Sequence, residues 1–332
     1  VGRSARGAEV TMDVDRMLEK CKRDQWKPED LDWSVPPRSM SAADEEAIVQ
    51  YFVNMAAIER FAKALFEEQR GRVEDPRLKK IYSTFVADEE RHAVVAERLA
   101  AHYDTRKIKS YRVSPEIEAF KPHFLRAIKY LSDEVANAYI TGGELMLDVA
   151  LLRSIDDFVR DDMSHQAMEL INRDESRHIA VDYHMVEYYT GDDYWETKRR
   201  QPRKPVTHYV LAGWSFLNLI RTGGPFFMEM FFRPMKTVDP SGRRLSEAFK
   251  RIQLLQNMPG IERSPLARFS LFLRDTYNHP LYGQLFGGIV QRIAGLPPEL
   301  MKNLYSREEG DAARKRGFAW LADEALSVKL AA

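Results

Sequence analysis

A single cysteine, Cys21, stands in a chain of 332 residues. It has no partner for an internal disulfide, and no four-cysteine zinc or iron–sulfur site can form within one chain. That usage suits a reducing cytoplasm, which is the expected location. An excess of charge of either sign is equally lacking: 50 Lys and Arg balance 50 Asp and Glu, for a formal net charge of +0. The balance favours neither nucleic acid nor an anionic membrane as a partner. Long hydrophobic runs are missing too. The most apolar stretch, Tyr209 to Phe232, is broken by Arg221, Gly223, Gly224, Pro225 and Glu229. A spanning helix wants about 20 apolar residues with few charges, so no membrane span is expected. The stretch reads as buried core or interface, with a membrane-dipping or substrate-facing surface as the lesser alternative. The opening segment VGRSARGAEVTMD has no apolar run, so no secretory signal is expected. A Gly-rich dinucleotide motif in a strand context is also absent.

What is present is helical periodicity. Ser41 is placed to cap a helix through Glu68, with Ile48, Phe52, Met55, Ala56, Ala62 and Phe66 on one side. Asp75-Pro76 is a cap followed by proline at the first helical position, and opens a helix to about His102. Ser114-Pro115 repeats that signal before a long helical region to about Phe158, with bends expected near Pro122 and Gly142-Gly143. A fourth helix should span about Asp161 to Tyr189. Shorter candidates follow at 206–221, 243–257, 265–277, 281–294 and 308–328, punctuated by prolines. The expected fold is all-α: an irregular N-terminal arm (1–40), a metal-binding four-helix bundle (41–195) and a helical C-terminal extension packed on it (196–332).

The chemistry is carried by a repeat. Residues 88–92 read Asp-Glu-Glu-Arg-His and residues 174–178 read Asp-Glu-Ser-Arg-His. On a helix, positions three apart share a face. Glu89 with His92, and Glu175 with His178, can therefore each present one carboxylate and one imidazole to a single point. A lone Glu-x-x-His is weak; about one is expected by chance among 50 acids and eight histidines. The doubled pentapeptide is stronger, and two further carboxylates sit where a four-helix di-metal site needs them. Glu59 precedes Glu89 by 30 residues and Glu144 precedes Glu175 by 31. Both are flanked by apolar positions, where an unpaired carboxylate would be costly. Four carboxylates balance two divalent cations and leave two neutral imidazoles, a donor set that suits iron, or manganese with iron. Asp88 and Asp174 are expected to orient the histidines, each that of the opposite motif, since a metal-bound imidazole usually donates its second N–H. Arg91 and Arg177 read as ion-pair partners. Asp148 and Asp182 are candidates for a polar network nearby. Gly142-Gly143 marks a π-bulge, room for substrate, or close packing.

The pattern Glu59…Asp88-Glu89-x-x-His92…Glu144…Asp174-Glu175-x-x-His178 resembles the ferritin-like di-iron carboxylate superfamily over roughly 45–190. Its D-E-x-R-H form is similar to soluble acyl-carrier-protein desaturases and related oxygenases, and chain size is similar to the arylamine N-oxygenases. The extra histidine of the latter would fall at Ile171. The motif spacing is also similar to aldehyde-deformylating oxygenases. Ala96 stands where ribonucleotide reductase small subunits carry a radical tyrosine, and one cysteine excludes a rubrerythrin-type rubredoxin site. The resemblance implies two iron ions (Fe2+/Fe3+, with manganese–iron as an alternative), a homodimer and an oxidoreductase. Such an enzyme would use O2 to hydroxylate, N-oxygenate or desaturate a small organic substrate, with electrons from an external reductase or ferredoxin. If Phe52, Met55, Tyr82, Phe85, Met146 and Met168 line a cavity rather than the core, that substrate is largely apolar. The alternative is an iron-storage or peroxide-scavenging protein of ferritin or rubrerythrin type.

Overall fold

Helix starts follow from local chemistry. Asp13, Ser41, Asp75 and Asp161 each accept a hydrogen bond from a backbone amide two or three residues on, satisfying one of the donors that a helix start leaves open. The computed structural model describes residues 12–330; most of the segment read for a secretory signal lies outside the described residues. The elements are α1 (Val14–Arg23), α2 (Ala42–Arg72), α3 (Pro76–Tyr103), α4 (Pro115–Ala127) and α5 (Asp133–Glu144). A π-helical run, Leu145–Leu152, joins α5 to α6 (Arg153–Val159). Then come α7 (Asp162–Thr190), α8 (Asp192–Arg200) and α9 (Val206–Phe227), with a second π-helical run, Met228–Phe232, leading to α10 (Arg233–Val238). The rest comprises α11 (Arg243–Gln256), α12 (Pro265–Asn278), α13 (Tyr282–Ala294), α14 (Pro298–Met301) and α15 (Arg307–Leu330). No strand occurs among the described residues, and the fold is all-α.

A three-residue link folds α3 back along α2, and a two-residue link folds α7 back along the α5–α6 rod. Contacts of α2 with α5 and of α3 with α7 join the two pairs into a four-helix bundle. The rod Asp133–Val159 is apolar enough by length and composition to cross a membrane, yet 72% of its apolar window is buried. It is apolar because it is the inner wall of the bundle. Around this frame α4 packs on α9, α11 on the π-helical run after Glu144, and α15 on α7 and α11.

Three expectations are corrected. The arm is not irregular throughout: α1 packs on α3, burying Leu18 and Cys21, whose helical spacing is masked by the many charges of VDRMLEKCKR. Pro122 sits inside α4 and does not end it. The break falls at 128–132, where the Arg72 guanidinium takes the carbonyls of Ile128 and Leu131 at 2.7 Å each. Finally, the Tyr209–Phe232 stretch is not core along its length. Tyr209, Val210, Leu211, Trp214 and Leu217 are exposed, while Leu219, Phe226, Met230, Phe231 and Phe232 are buried.

Candidate metal centre

Each bundle helix turns acid or imidazole toward one point. α2 contributes Glu59, α3 Glu89 and His92, α5 its last residue Glu144, and α7 Glu175 and His178. Five of the six are fully buried and Glu144 is 4% exposed. They form two overlapping sets: Glu59, Glu89, His92 and Glu175 in one; Glu89, Glu144, Glu175 and His178 in the other. In each set one donor atom per residue lies within 4.8 Å of all the others. Glu89 and Glu175 belong to both, as carboxylates bridging two cations would. His92 Nδ1 lies 3.1 Å from Glu175 Oε1, and His178 Nδ1 lies 3.1 Å from Glu89 Oε1 and 3.0 Å from Glu175 Oε2.

The far side of each imidazole is held by the other motif. His92 Nε2 meets Asp174 Oδ2 at 3.1 Å, and His178 Nε2 meets Asp88 Oδ2 at 3.4 Å. Such a contact fixes which ring nitrogen faces the centre. Within each pentapeptide the arginine bonds the aspartate three residues before it: Arg91 to Asp88, and Arg177 to Asp174 at 2.6 Å. Arg91 also reaches Asp174 at 2.8 Å. Arg177 is fully buried, where an unpaired guanidinium would be prohibitive; Asp174 and Asp88 neutralise it. Two residues of the arm close the network. Gln25 donates to Asp88 at 3.2 Å, and the Trp26 indole donates to Asp174 at 2.7 Å while its ring lies under the Arg91 guanidinium at 4.9 Å. Neither was legible in the sequence, since nothing local ties Gln25 to a motif 63 residues away or Trp26 to one 148 residues away.

Burial pushes Glu59 up to about 7 and, with neighbouring carboxylates, pushes Glu89 and Glu144 well above the usual range. Burial opposes charge on His92, but its hydrogen bonds to Asp174 and Glu175 outweigh it and lift the ring to about 10. His178 rises to about 9 against the same opposition, through the charge of Glu175 and the bond to Asp88. Glu175 resists burial through His178 and then His92, and stays well below the usual range. Both oxygens of Glu59, with Glu89 Oε2 and Glu144 Oε2, are buried without a hydrogen bond among the described residues. Orphaned donors of this kind are expensive, and two divalent cations would satisfy them together. The residues present fit a pair of iron, or manganese and iron, ions.

Asp182, one turn beyond His178, is fully buried; neither carboxylate oxygen finds a hydrogen bond among the described residues, and burial holds its carboxyl well above the ordinary range. Asp148 is also fully buried. Phe52, Met55, Tyr82, Phe85, Met146 and Met168 are core side chains, at most 5% exposed. A cavity of about 210 Å³ lies elsewhere, between α9, α11, α12 and α13. It touches α5 at Val135 and Tyr139 and includes none of the six donors. Of the readings for Gly142 and Gly143, close packing fails: a Cβ added at either meets nothing within 4 Å. The π-helical run starts two residues after Gly143, at Leu145.

No protein-family model matches the chain, and no curated protein matches it. Among solved structures it is similar to a mutant of an R2-like ligand-binding oxidase with an anaerobically reconstituted Mn/Fe cofactor. The similarity has a TM-score of 0.43 and 16% identity, over 90% of this chain and 95% of that one.

Proposed function

We propose that Glu59, Glu89, His92, Glu144, Glu175 and His178 hold two redox-active metal ions, iron at both positions or manganese with iron, and that the protein is an O2-dependent oxidoreductase. The observation that carries this reading is the overlap of the two donor sets at Glu89 and Glu175, in a buried cluster. Such a metal pair supplies one-electron steps and a place for O2 to be reduced. The chain's own contribution is positional and electrostatic. Asp174 and Asp88 hold the imidazoles with Nδ1 inward. Burial holds the Asp182 carboxyl, one turn from His178, well above the ordinary range. The packed Phe52, Met55 and Phe85 exclude water. Glu144, 4% exposed, follows two half-buried glycines with open space where side chains would be.

The resemblance of the motif supports hydroxylation, N-oxygenation or desaturation of a largely apolar organic substrate, with electrons from a separate reductase or ferredoxin. The tight packing of aromatic and methionine side chains around the donors favours a second reading, in which O2 or peroxide is reduced with no organic partner or iron is stored. Single-turnover O2 uptake by the reduced, iron-loaded protein, followed by mass analysis of candidate apolar substrates, separates them. A substrate gaining oxygen or losing two hydrogens in proportion to O2 consumed supports the first. Uptake that yields only ferric mineral or water supports the second and overturns the first.

A further inference from the structure

The chain is neutral overall, but its charge is unevenly spread. Between residues 198 and 228 stand six basic residues, Lys198, Arg199, Arg200, Arg203, Lys204 and Arg221, and no acidic one. Lys198 is paired with Glu134 and Arg200 with Glu196. Arg199, Arg203 and Lys204 enter no ion pair among the described residues. They lead directly into the half of α9 that protrudes from the core, where Val206 is 77% exposed, Val210 64%, Trp214 58% and Leu217 61%. A soluble surface rarely leaves this much contiguous apolar area uncovered. The open apolar cavity between α9, α12 and α13 adjoins it, with Phe216 and Ile293 both exposed and both lining it.

We propose that this face, the first half of α9 with the basic segment before it, docks on the surface of an anionic lipid bilayer. Basic residues beside an apolar helix with Tyr and Trp are what an interfacial helix needs: cations for the headgroups, and a ring-bearing apolar side for the acyl boundary. Whole-chain neutrality hid this because the balancing acids lie elsewhere. A second copy of the chain would also bury the apolar side chains, but residues 198–228 of that copy offer Arg199, Arg203 and Lys204 no acidic partner. The inference is independent of the metal centre, and no spanning helix is involved.

Flotation of the full chain with phosphatidylcholine vesicles, with and without phosphatidylglycerol, tests it. The protein should float with the anionic vesicles at about 0.1 M salt, where charges act over about 10 Å, and be released at about 1 M, where they act over about 3 Å. The combined change Arg199→Gln, Arg203→Gln and Lys204→Gln should weaken partition on the order of 100-fold, at about fivefold per charge. Trp214→Glu with Leu217→Glu should abolish it. All five side chains are exposed, so far-ultraviolet circular dichroism should stay unchanged. No flotation with anionic vesicles, or binding indifferent to both sets of changes, overturns the proposal. So does a concentration-dependent dimer, lost in Trp214→Glu, in a protein that ignores vesicles; that result assigns the face to a second copy.

Discussion

At the residue scale the centre is a competition between protons and metal. In the metal-free protein Glu59 titrates near 7, His178 near 9 and His92 near 10, so protons occupy sites a cation would take. Metal uptake should therefore release protons, and affinity should climb from about pH 6 to pH 9; titration in buffers of different ionisation enthalpy measures both. The sign for stability follows. Groups whose folded values are raised contribute stability that is whole below their unfolded values and is lost as pH rises through the folded ones. Metal-free protein should thus lose thermal stability between about pH 5 and pH 10, while metal-loaded protein should not. Asp174 and Glu175, held low, act the other way and lose their contribution in acid. The outer layer can be tested singly. Asp174→Asn should retain metal but lower affinity or activity about 10–100-fold. Trp26→Phe, which removes one hydrogen bond to a buried charge, should cost about 1.5–3 kcal/mol in denaturant unfolding of the loaded protein. That Glu89 shares a face with His92, and Glu175 with His178, was readable because helical spacing makes i and i+3 neighbours whatever the rest of the chain does. Gln25, Trp26 and the clamping role of Arg177 were not, because their contacts depend on how the arm and two distant helices meet.

At the element scale, boundaries written in caps and prolines were readable, and those set by tertiary contact were not. Ser41, Asp75-Pro76, Ser114-Pro115 and Asp161 mark helix starts within a residue or two of the observed ones. The break at 128–132 depends on Arg72 from another helix, and α1 on burial against α3. The double glycine before Glu144 is a local signal with a local consequence. Because added methyl groups there meet nothing, Gly143→Ala should fold and gain about 0.5–1 kcal/mol from the helix alone, read as a higher melting temperature. Gly295 is the opposite case. Its φ of +66° and the 2.9 Å that would separate a Cβ from Gly224 Cα leave room for glycine only, so Gly295→Ala should destabilise the α9–α13 crossing and lower the melting temperature.

At the scale of the whole molecule, the bundle holds the acid–imidazole cluster and the C-terminal helices pack around it. The all-α class and the four donor helices were legible because a long amphipathic helix announces itself by period. The exposed half of α9 was not, since an apolar run looks the same whether it faces a core or a boundary. The account stands on one claim, that six side chains from four helices bind two metal ions. Metal analysis after anaerobic loading with ferrous iron and desalting tests it most directly. It should give close to two ions per wild-type chain and close to none in Glu175→Ala, with the helical content of both retained. No bound transition metal in the wild type, or the same content in Glu175→Ala, would contradict it.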